Sequence, residues 1–244
     1  MATPRFYVPE GLAPDARLAL APEASHHARR VLRLRAGEEV VLFDGAGNEY
    51  QAVLEAAAPN ENRSYVRVLR GGAVDREAAL QVTLVQALCA QDKTAWIVEK
   101  CVELGVARLI LAPAARSVVR LAAARAPRRA DRWREIAISA CCQCGRNRIP
   151  SVELAGDLAS ALRGAGDGTQ RLLLDPAAAA GLPQPQGAGV VLAVGPEGGF
   201  TAGELQLAAS LGYAATRLGP RVLRTETAGL AAISALLARE GEFS

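Results

Sequence analysis

The chain has 244 residues, 50% of them apolar and 22% charged, with a formal net charge of +3. That length holds one large domain or a small domain beside a larger one, and the composition suits a globular protein with a sizeable core. No apolar run approaches a membrane span, and the opening residues MATPRFYVPE lack the apolar centre of a secretory leader, so a cytoplasmic protein with no membrane partner is expected. The five cysteines (Cys89, Cys101, Cys141, Cys142, Cys144) are an odd number, which argues against a disulfide framework. The run Cys141-Cys142-x-Cys144 invites a metal. Yet the only histidines, His26 and His27, lie far away in sequence and no second C-x-x-C exists. No metal is therefore expected, and most of the thiols read as small apolar core residues.

In chain order, Arg5 to about Arg70 reads as short strands: Phe6 to Val8, Val40 to Phe43, Tyr50 to Leu54 and Tyr65 to Leu69. Turn chemistry such as Asp44-Gly45-Ala46-Gly47-Asn48 separates them, and this pattern predicts a small barrel. His26 and His27 precede a VLR segment read as a further strand. Arg70-Gly71-Gly72-Ala73 reads as a linker, which divides the chain into domains 1–72 and 73–244. Beyond Leu80 strands alternate with helices. Gln81 to Leu88 is a strand, and Lys93 to Leu104 a helix closed by Gly105. Ala107 to Ala112 is a strand, and Ala130 to Cys142 a helix with Trp133, Ile136, Ala137 and Ala140 on one face. Strands at Arg171 to Leu174, Val190 to Val194 and Ala214 to Leu218 follow, and Thr225 is expected to cap a last helix running through Arg239. Loops fill Gly164 to Gly168 and Gly181 to Gly189. Such alternation predicts an α/β domain with a parallel sheet.

The densest information lies in VVLAVGPEGGFTAGELQLAASLGYAATRLGPRVLRTETA, residues 190–228. Two strands each run into a glycine turn, Gly195-Pro196-Glu197-Gly198-Gly199 and Gly219-Pro220-Arg221. Between them a helix opens with the capping box Thr201…Glu204. Two such turns at the carboxyl edge of a parallel sheet predict a ligand pocket. Neither G-x-G-x-x-G nor a Gly-Lys-Ser/Thr loop is present, so backbone packed around a nucleoside is expected, not a phosphate cradle. Between Arg116 and Arg148 nine arginines face only Asp131 and Glu135, a net +7 that leaves the rest of the chain negative. A field of that sign attracts polyanions. The competing reading is a solvated helix face in an arginine-rich composition, since lysine occurs only at Lys93 and Lys100.

GPEGGF followed by RLGPRVLRTETA closely resembles the RsmE-type 16S rRNA (uracil-N3)-methyltransferases of the SPOUT superfamily. The resemblance extends to DKTAWIVEKCVELGV, RSVVRL, CQCGRNRIP, RFYVPEGL and HHARRVLRLRAGEEVVLFDGAGNEY, nearly the whole chain. It implies an α/β fold in which a PUA-like, RNA-binding β-barrel precedes a trefoil-knotted SPOUT domain, with two subunits completing each active site in a homodimer. It also implies S-adenosyl-L-methionine as cofactor, methylation of uridine N3 near the decoding region of 16S rRNA, and the assembled small ribosomal subunit as substrate.

By the same resemblance, Leu174, Gly195, Pro196, Glu197, Gly198, Leu218, Gly219, Arg221 and Leu223 would hold the cofactor. Because N3 of uracil carries a proton at neutral pH, that proton must be removed or the resulting anion stabilised. Arg224 and Glu226 are the candidates: Arg224 to stabilise developing charge, Glu226 to act as base or to orient Arg224. The alternative for Glu226 is a favourable interaction with the helix N-terminus. Arg5, His27, Arg33, Arg116, Arg120, Arg146 and Arg148 are the RNA-binding candidates, the arginines near residue 146 serving equally as dimer contacts. Glu103 is expected to hold an arginine or a loop. Two departures from the family pattern, Cys142 for an acidic residue and Cys89-Ala90-Gln91 for Pro-Lys-Gly, remove charges from these surfaces. The alternatives are a catalytically inactive RNA-binding or ribosome-assembly protein, and a SPOUT enzyme acting on another RNA.

Overall fold

The computed structural model describes residues 3–56, 63–119, 126–166 and 170–243. Arg120 and the end of the 164–168 loop lie outside them. The chain divides into two compact units, one of Met1–Glu77 with Cys141–Ile149, the other of Ala78–Ala140 with Pro150–Ser244.

The first unit is a five-stranded sheet of β1 (Arg5–Tyr7), β2 (Arg17–Ala19), β3 (Glu39–Phe43), β4 (Asn48–Glu55) and β5 (Tyr65–Ala73), in the order β1-β3-β4-β5-β2. Alternation along β5 turns Val66 and Val68 inward and Arg67 and Leu69 outward, as a half-buried strand requires. These valines join Phe6, Leu20, Val40, Leu42, Ala52 and Leu54 in the core of a half-barrel.

Two expectations need correcting here. Arg70 to Ala73 is no linker: β5 continues through it, with Gly71 paired opposite Tyr50. A Cβ on Gly71 would fall 2.1 Å from Cδ1 of Tyr50; the glycine makes room for a ring and does not loosen a joint. Nor is there a VLR strand after the histidines. Helix α1 (Pro22–His26) runs into a π-helical turn at His27–Val31, and Arg33 has a left-handed φ of 56°. The buried residues of this segment are Ser25 and Ala28, and the apolar side chains of Val31 and Leu32 face solvent.

The second unit is a six-stranded, wholly parallel sheet in the order β11-β9-β10-β6-β7-β8. Its elements are β6 (Gln81–Ala87), α2 (Gln91–Glu103), β7 (Arg108–Ala112), α3 (Ala126–Cys144, whose residues from Cys141 onward belong to the first unit), β8 (Ser151–Leu154), α4 (Leu158–Arg163), β9 (Gln170–Leu174), β10 (Gly189–Val194), α5 (Ala202–Ser210), β11 (Ala214–Thr216) and α6 (Thr225–Arg239). Central strands read as unbroken apolar runs because both faces are covered; Val190, Val191, Leu192, Ala193 and Val194 are all buried. On one face Val85, Ile110, Leu162, Leu173 and Val191 share a cluster with Tyr213, whose hydroxyl donates to the Leu162 carbonyl at 2.9 Å. Burial pushes the Cys101 thiol well above its ordinary pKa, the condition of an inert core cysteine.

The capping box of α5 forms as read: Thr201 Oγ1 accepts from the Glu204 amide at 3.3 Å while a Glu204 oxygen accepts from the Thr201 amide at 2.7 Å. Two local expectations fail. The strand begun at Ala214 ends at Thr216, because the Arg217 amide turns away to the Ala180 carbonyl, which frees Leu218 for the following turn. Thr225 does not cap α6; it is the first helical residue, Arg224 stands at the cap without a side-chain bond, and the threonine hydroxyl is engaged elsewhere.

Candidate functional site

The order β11-β9-β10 brings the carboxyl ends of three parallel strands side by side, and they open onto one cavity of about 700 Å³. The first corner, residues 195–200, leaves β10. It is closed by the Gly199 amide donating to the Pro196 carbonyl at 2.8 Å, with Gly199 at a φ of 67°. The second corner, residues 217–224, leaves β11 and turns at Gly219, whose φ is 69°. Both angles lie where side chains other than glycine are strained.

A buried hydrogen-bond chain locks the two corners together. Thr225 Oγ1 donates to the Gly195 carbonyl at 2.6 Å and accepts from Gln86 Nε2 at 3.0 Å. Thr225 thus fixes the start of the first corner to the helix that follows the second. Leu174, Gly195, Pro196, Glu197, Gly198, Leu218, Gly219, Arg221, Leu223, Arg224 and Glu226 all line the cavity. Leu174, Leu218 and Leu223 supply apolar wall, and the corners supply backbone. A largely apolar cleft with a few convergent polar groups is the form of a small-molecule site.

Further charged residues line the cavity, among them Lys93 and Asp175, which were not anticipated, and Arg116, which was expected to contact RNA and instead faces the first corner. Lys93, on the first turn of α2, lies 3.2 Å from Glu226 Oε2 and 3.5 Å from Glu197 Oε1. Burial raises the Glu226 pKa, but its own backbone N–H, Lys93 and Arg224 outweigh that and leave the carboxyl below its ordinary value. The facing carboxylate of Glu226 foremost, with Glu197 adding to it, pushes Lys93 upward. Asp175, at the end of β9, folds its carboxylate onto the Ala177 amide at 2.9 Å. Arg116 donates to the Gly198 carbonyl at 3.0 Å, and the neighbouring Ala115 amide donates to Glu204 at 2.8 Å. The arginine-bearing segment therefore braces the first corner. A Cβ on Gly198 would sit 3.1 Å from that of Arg116, so a larger residue there would crowd the brace. The sequence marked Lys93 as one of only two lysines in a chain that otherwise uses arginine, and Arg116 as the start of the arginine-rich run, but neither for a place in this cleft.

The remaining RNA-binding candidates separate. In the N-terminal unit His27 and Arg33 are exposed, and His27 meets Phe6 edge-on with ring centroids 6.4 Å apart. Arg148 is exposed beside Gly47. Arg5 and Arg146 are placed otherwise than expected. Arg5 donates to Glu49 at 2.8 Å with its side chain 11% exposed, and Arg146 is 4% exposed and paired with Glu77. Their charges hold the fold, which leaves little for an external phosphate. Glu103 holds neither an arginine nor a loop but Lys100 of its own helix, at 2.7 Å. Among the described residues no group of three or more His, Cys, Asp or Glu side chains has the arrangement of a metal site, and no helix is long and apolar enough to cross a membrane.

A family model for an RNA methyltransferase domain matches residues 76–237, and one for an RNA methyltransferase PUA domain matches residues 20–70. The ribosomal RNA small subunit methyltransferase E of Mycobacterium bovis is 35% identical over 86% of this chain and 82% of its own length. The chain belongs to the methyltransferase E family. The Bacillus subtilis member is 29% identical over 89% of this chain and 88% of its own. Among solved structures, the family member from Neisseria gonorrhoeae, bound to S-adenosyl methionine, is 38% identical. It superposes with a TM-score of 0.87 over 97% of this chain and 98% of that one. A Legionella pneumophila protein in complex with the same cofactor is 36% identical, with a TM-score of 0.91 over 98% of both chains.

Proposed function

We propose that this protein transfers a methyl group from S-adenosyl-L-methionine to N3 of a uridine in 16S rRNA, near the decoding region of the small ribosomal subunit. One observation carries the reading: both glycine corners, locked together through Thr225, face a single cleft that also holds Arg224 and Glu226. The names and bound cofactor of the similar proteins support it. The cleft fits the cofactor: glycine backbone at 195, 198 and 219 permits close approach to a ribose and adenine, and Leu174, Leu218 and Leu223 offer apolar contact. When bound, the cofactor supplies a methyl already activated by positive sulfur.

The chain's own task is alignment, exclusion of water and management of the N3 proton. Arg224, exposed at the rim, stabilises negative charge on a uracil carbonyl oxygen. Glu226, held ionised below its ordinary pKa, accepts the N3–H. In the same reading the N-terminal unit contributes RNA contacts through His27, Arg33 and Arg148. The cofactor unit carries a trefoil knot, two copies form a homodimer, and the protein works in the cytoplasm.

The deciding experiment gives tritium-labelled S-adenosylmethionine and small-subunit particles lacking the modification to the purified protein. Label should appear in 3-methyluridine after digestion to nucleosides. An unlabelled particle, or label recovered as 2′-O-methyl ribose, would overturn the assignment.

A further inference from the structure

Glu226 Oε2 is shut off from solvent and has no hydrogen-bond partner of good geometry among the described residues, and its side chain is only 16% exposed. A carboxylate in that situation loses much of its hydration, and a facing charge must compensate. The compensating charge at contact distance is Lys93 Nζ, 3.2 Å away. Lys93 comes from α2, an element that contributes neither corner, yet α2 packs along α6 and so carries its ammonium to the first turn of that helix. The same ammonium reaches Glu197 of the first corner at 3.5 Å. One cation therefore ties together the acid after the second corner and the acid within the first.

The chemistry of the base matches this arrangement. The reacting edge of uracil presents a donor, N3–H, between two carbonyl acceptors. Glu226 has Lys93 at contact and follows Arg224 by two residues, and all three line the same cleft. A carboxylate offers an acceptor to N3–H, and the nearby cations can donate to the flanking carbonyl oxygens, the complement of that edge. Cytosine, with an unprotonated N3 beside an amino group, would meet a carboxylate where it needs a donor.

We infer that Lys93 is a positioning residue for methyl transfer, acting through Glu226: it fixes the carboxylate at the uracil edge and keeps it ionised until N3 gives up its proton. At that step the N3–H bond breaks and its proton passes to a Glu226 oxygen. The electron pair left on N3 would then form the bond to the incoming methyl as the methyl–sulfur bond breaks, its electron pair staying on sulfur to leave neutral S-adenosylhomocysteine. This inference rests on the methyl-transfer reading, and the experiment separates the two.

The first arm follows side-chain carboxyl titration by NMR in full-length protein labelled at glutamate carbons, with Glu226→Gln to assign the signal. Lys93→Met should raise the Glu226 midpoint by about one pH unit, the scale expected for losing an opposite charge at this range, and Lys93→Arg should restore it. The second arm measures methyl transfer to small-subunit particles. Lys93→Met should lower kcat roughly 10- to 100-fold, less than the roughly 10²–10⁴-fold that loss of the general base itself would cost, because Glu226 remains. It should also move the acidic limb of the pH–rate profile to higher pH, while calorimetric affinity for S-adenosylhomocysteine stays within about threefold of wild type. An unmoved Glu226 midpoint would overturn the inference, as would S-adenosylhomocysteine binding that falls by the same factor as turnover. If wild type methylates some other atom, the functional reading fails, and the titration still decides whether Lys93 governs Glu226. Lys93→Gln, equally uncharged but polar, repeats both arms should the methionine variant fold poorly.

Discussion

Replacing Thr225 by valine keeps the shape of the side chain and deletes one oxygen. That oxygen donates to the Gly195 carbonyl at 2.6 Å and accepts from Gln86 Nε2 at 3.0 Å. Gln86 is 1% exposed, and its Oε1 already lacks a partner. Each bond contributes about 1 kcal/mol net, and a buried polar group left unpaired costs about 1–3 kcal/mol. The Gly195 carbonyl borders the cavity, where water can replace the hydroxyl, so the loss falls mainly on the glutamine, whose Nε2 keeps only its bond to the Ala87 carbonyl at 3.1 Å. Thr225→Val should therefore destabilise the C-terminal unit by roughly 1–3 kcal/mol. Adding Gln86→Leu removes the half-satisfied amide as well, and the pair should show a coupling of about 1–2 kcal/mol. Urea unfolding followed by tryptophan fluorescence reads this directly, since Trp96 and Trp133 both belong to that unit. A valine variant within about 0.5 kcal/mol of wild type, or strictly additive costs in the double variant, would refute the claim that this hydroxyl locks the corners.

Other substitutions test separate parts of the argument. Arg116→Ala removes the brace on the Gly198 carbonyl and should weaken S-adenosylhomocysteine binding about 3- to 10-fold in calorimetry, with little change in unfolding because the residue is exposed. Gly71→Ala forces a methyl toward Tyr50; a loss of about 1–3 kcal/mol is expected, visible as faster hydrogen exchange at Val66 and Val68. The hydrogen bond from Arg76 foremost, then that from Arg5, hold Glu49 at a pKa of about 2 against an ordinary 4.5. A depressed carboxylate stabilises the fold fully above its unfolded pKa and loses that contribution as pH falls through the folded one. Protection of the N-terminal sheet should accordingly decline between pH 4.5 and 2, and Glu49→Gln should be less stable at neutral pH and flatter across that window.

The lining of the cleft was legible where its residues are neighbours in the chain. Val190 to Val194 announces a strand covered on both faces, and glycine with proline directly after it announces a tight turn, so the corners and their apolar walls could be read locally. What the chain brings from far away could not. Lys93 and Arg116 reach the corners only through the packing of α2 and the segment after β7, which no periodicity records. Arginine misled in the opposite sense at Arg5 and Arg146: a guanidinium buried against Glu49 or Glu77 has the same letter as one facing solvent, and both acids are remote in sequence. Arg70 to Ala73 looked like a joint because glycine usually loosens a chain; here a tyrosine ring needed the space. Thr225 was assigned to a cap on type and position, and lost that role because a buried glutamine and an open carbonyl competed for its hydroxyl.

The order of strands has a consequence for how the protein is made. β9 pairs with β10 on one side and β11 on the other, and both leave the ribosome after it does. β10 must then slot in beside β6, a strand finished long before. β6, β7 and β8 can pair with one another early, but β9 and the open edge of β6 wait for β10, a topology that folds late and exposes apolar strand edges meanwhile. Since Thr225 and α6 supply the final clasp, the nascent protein has no completed pocket until the chain has been made through α6.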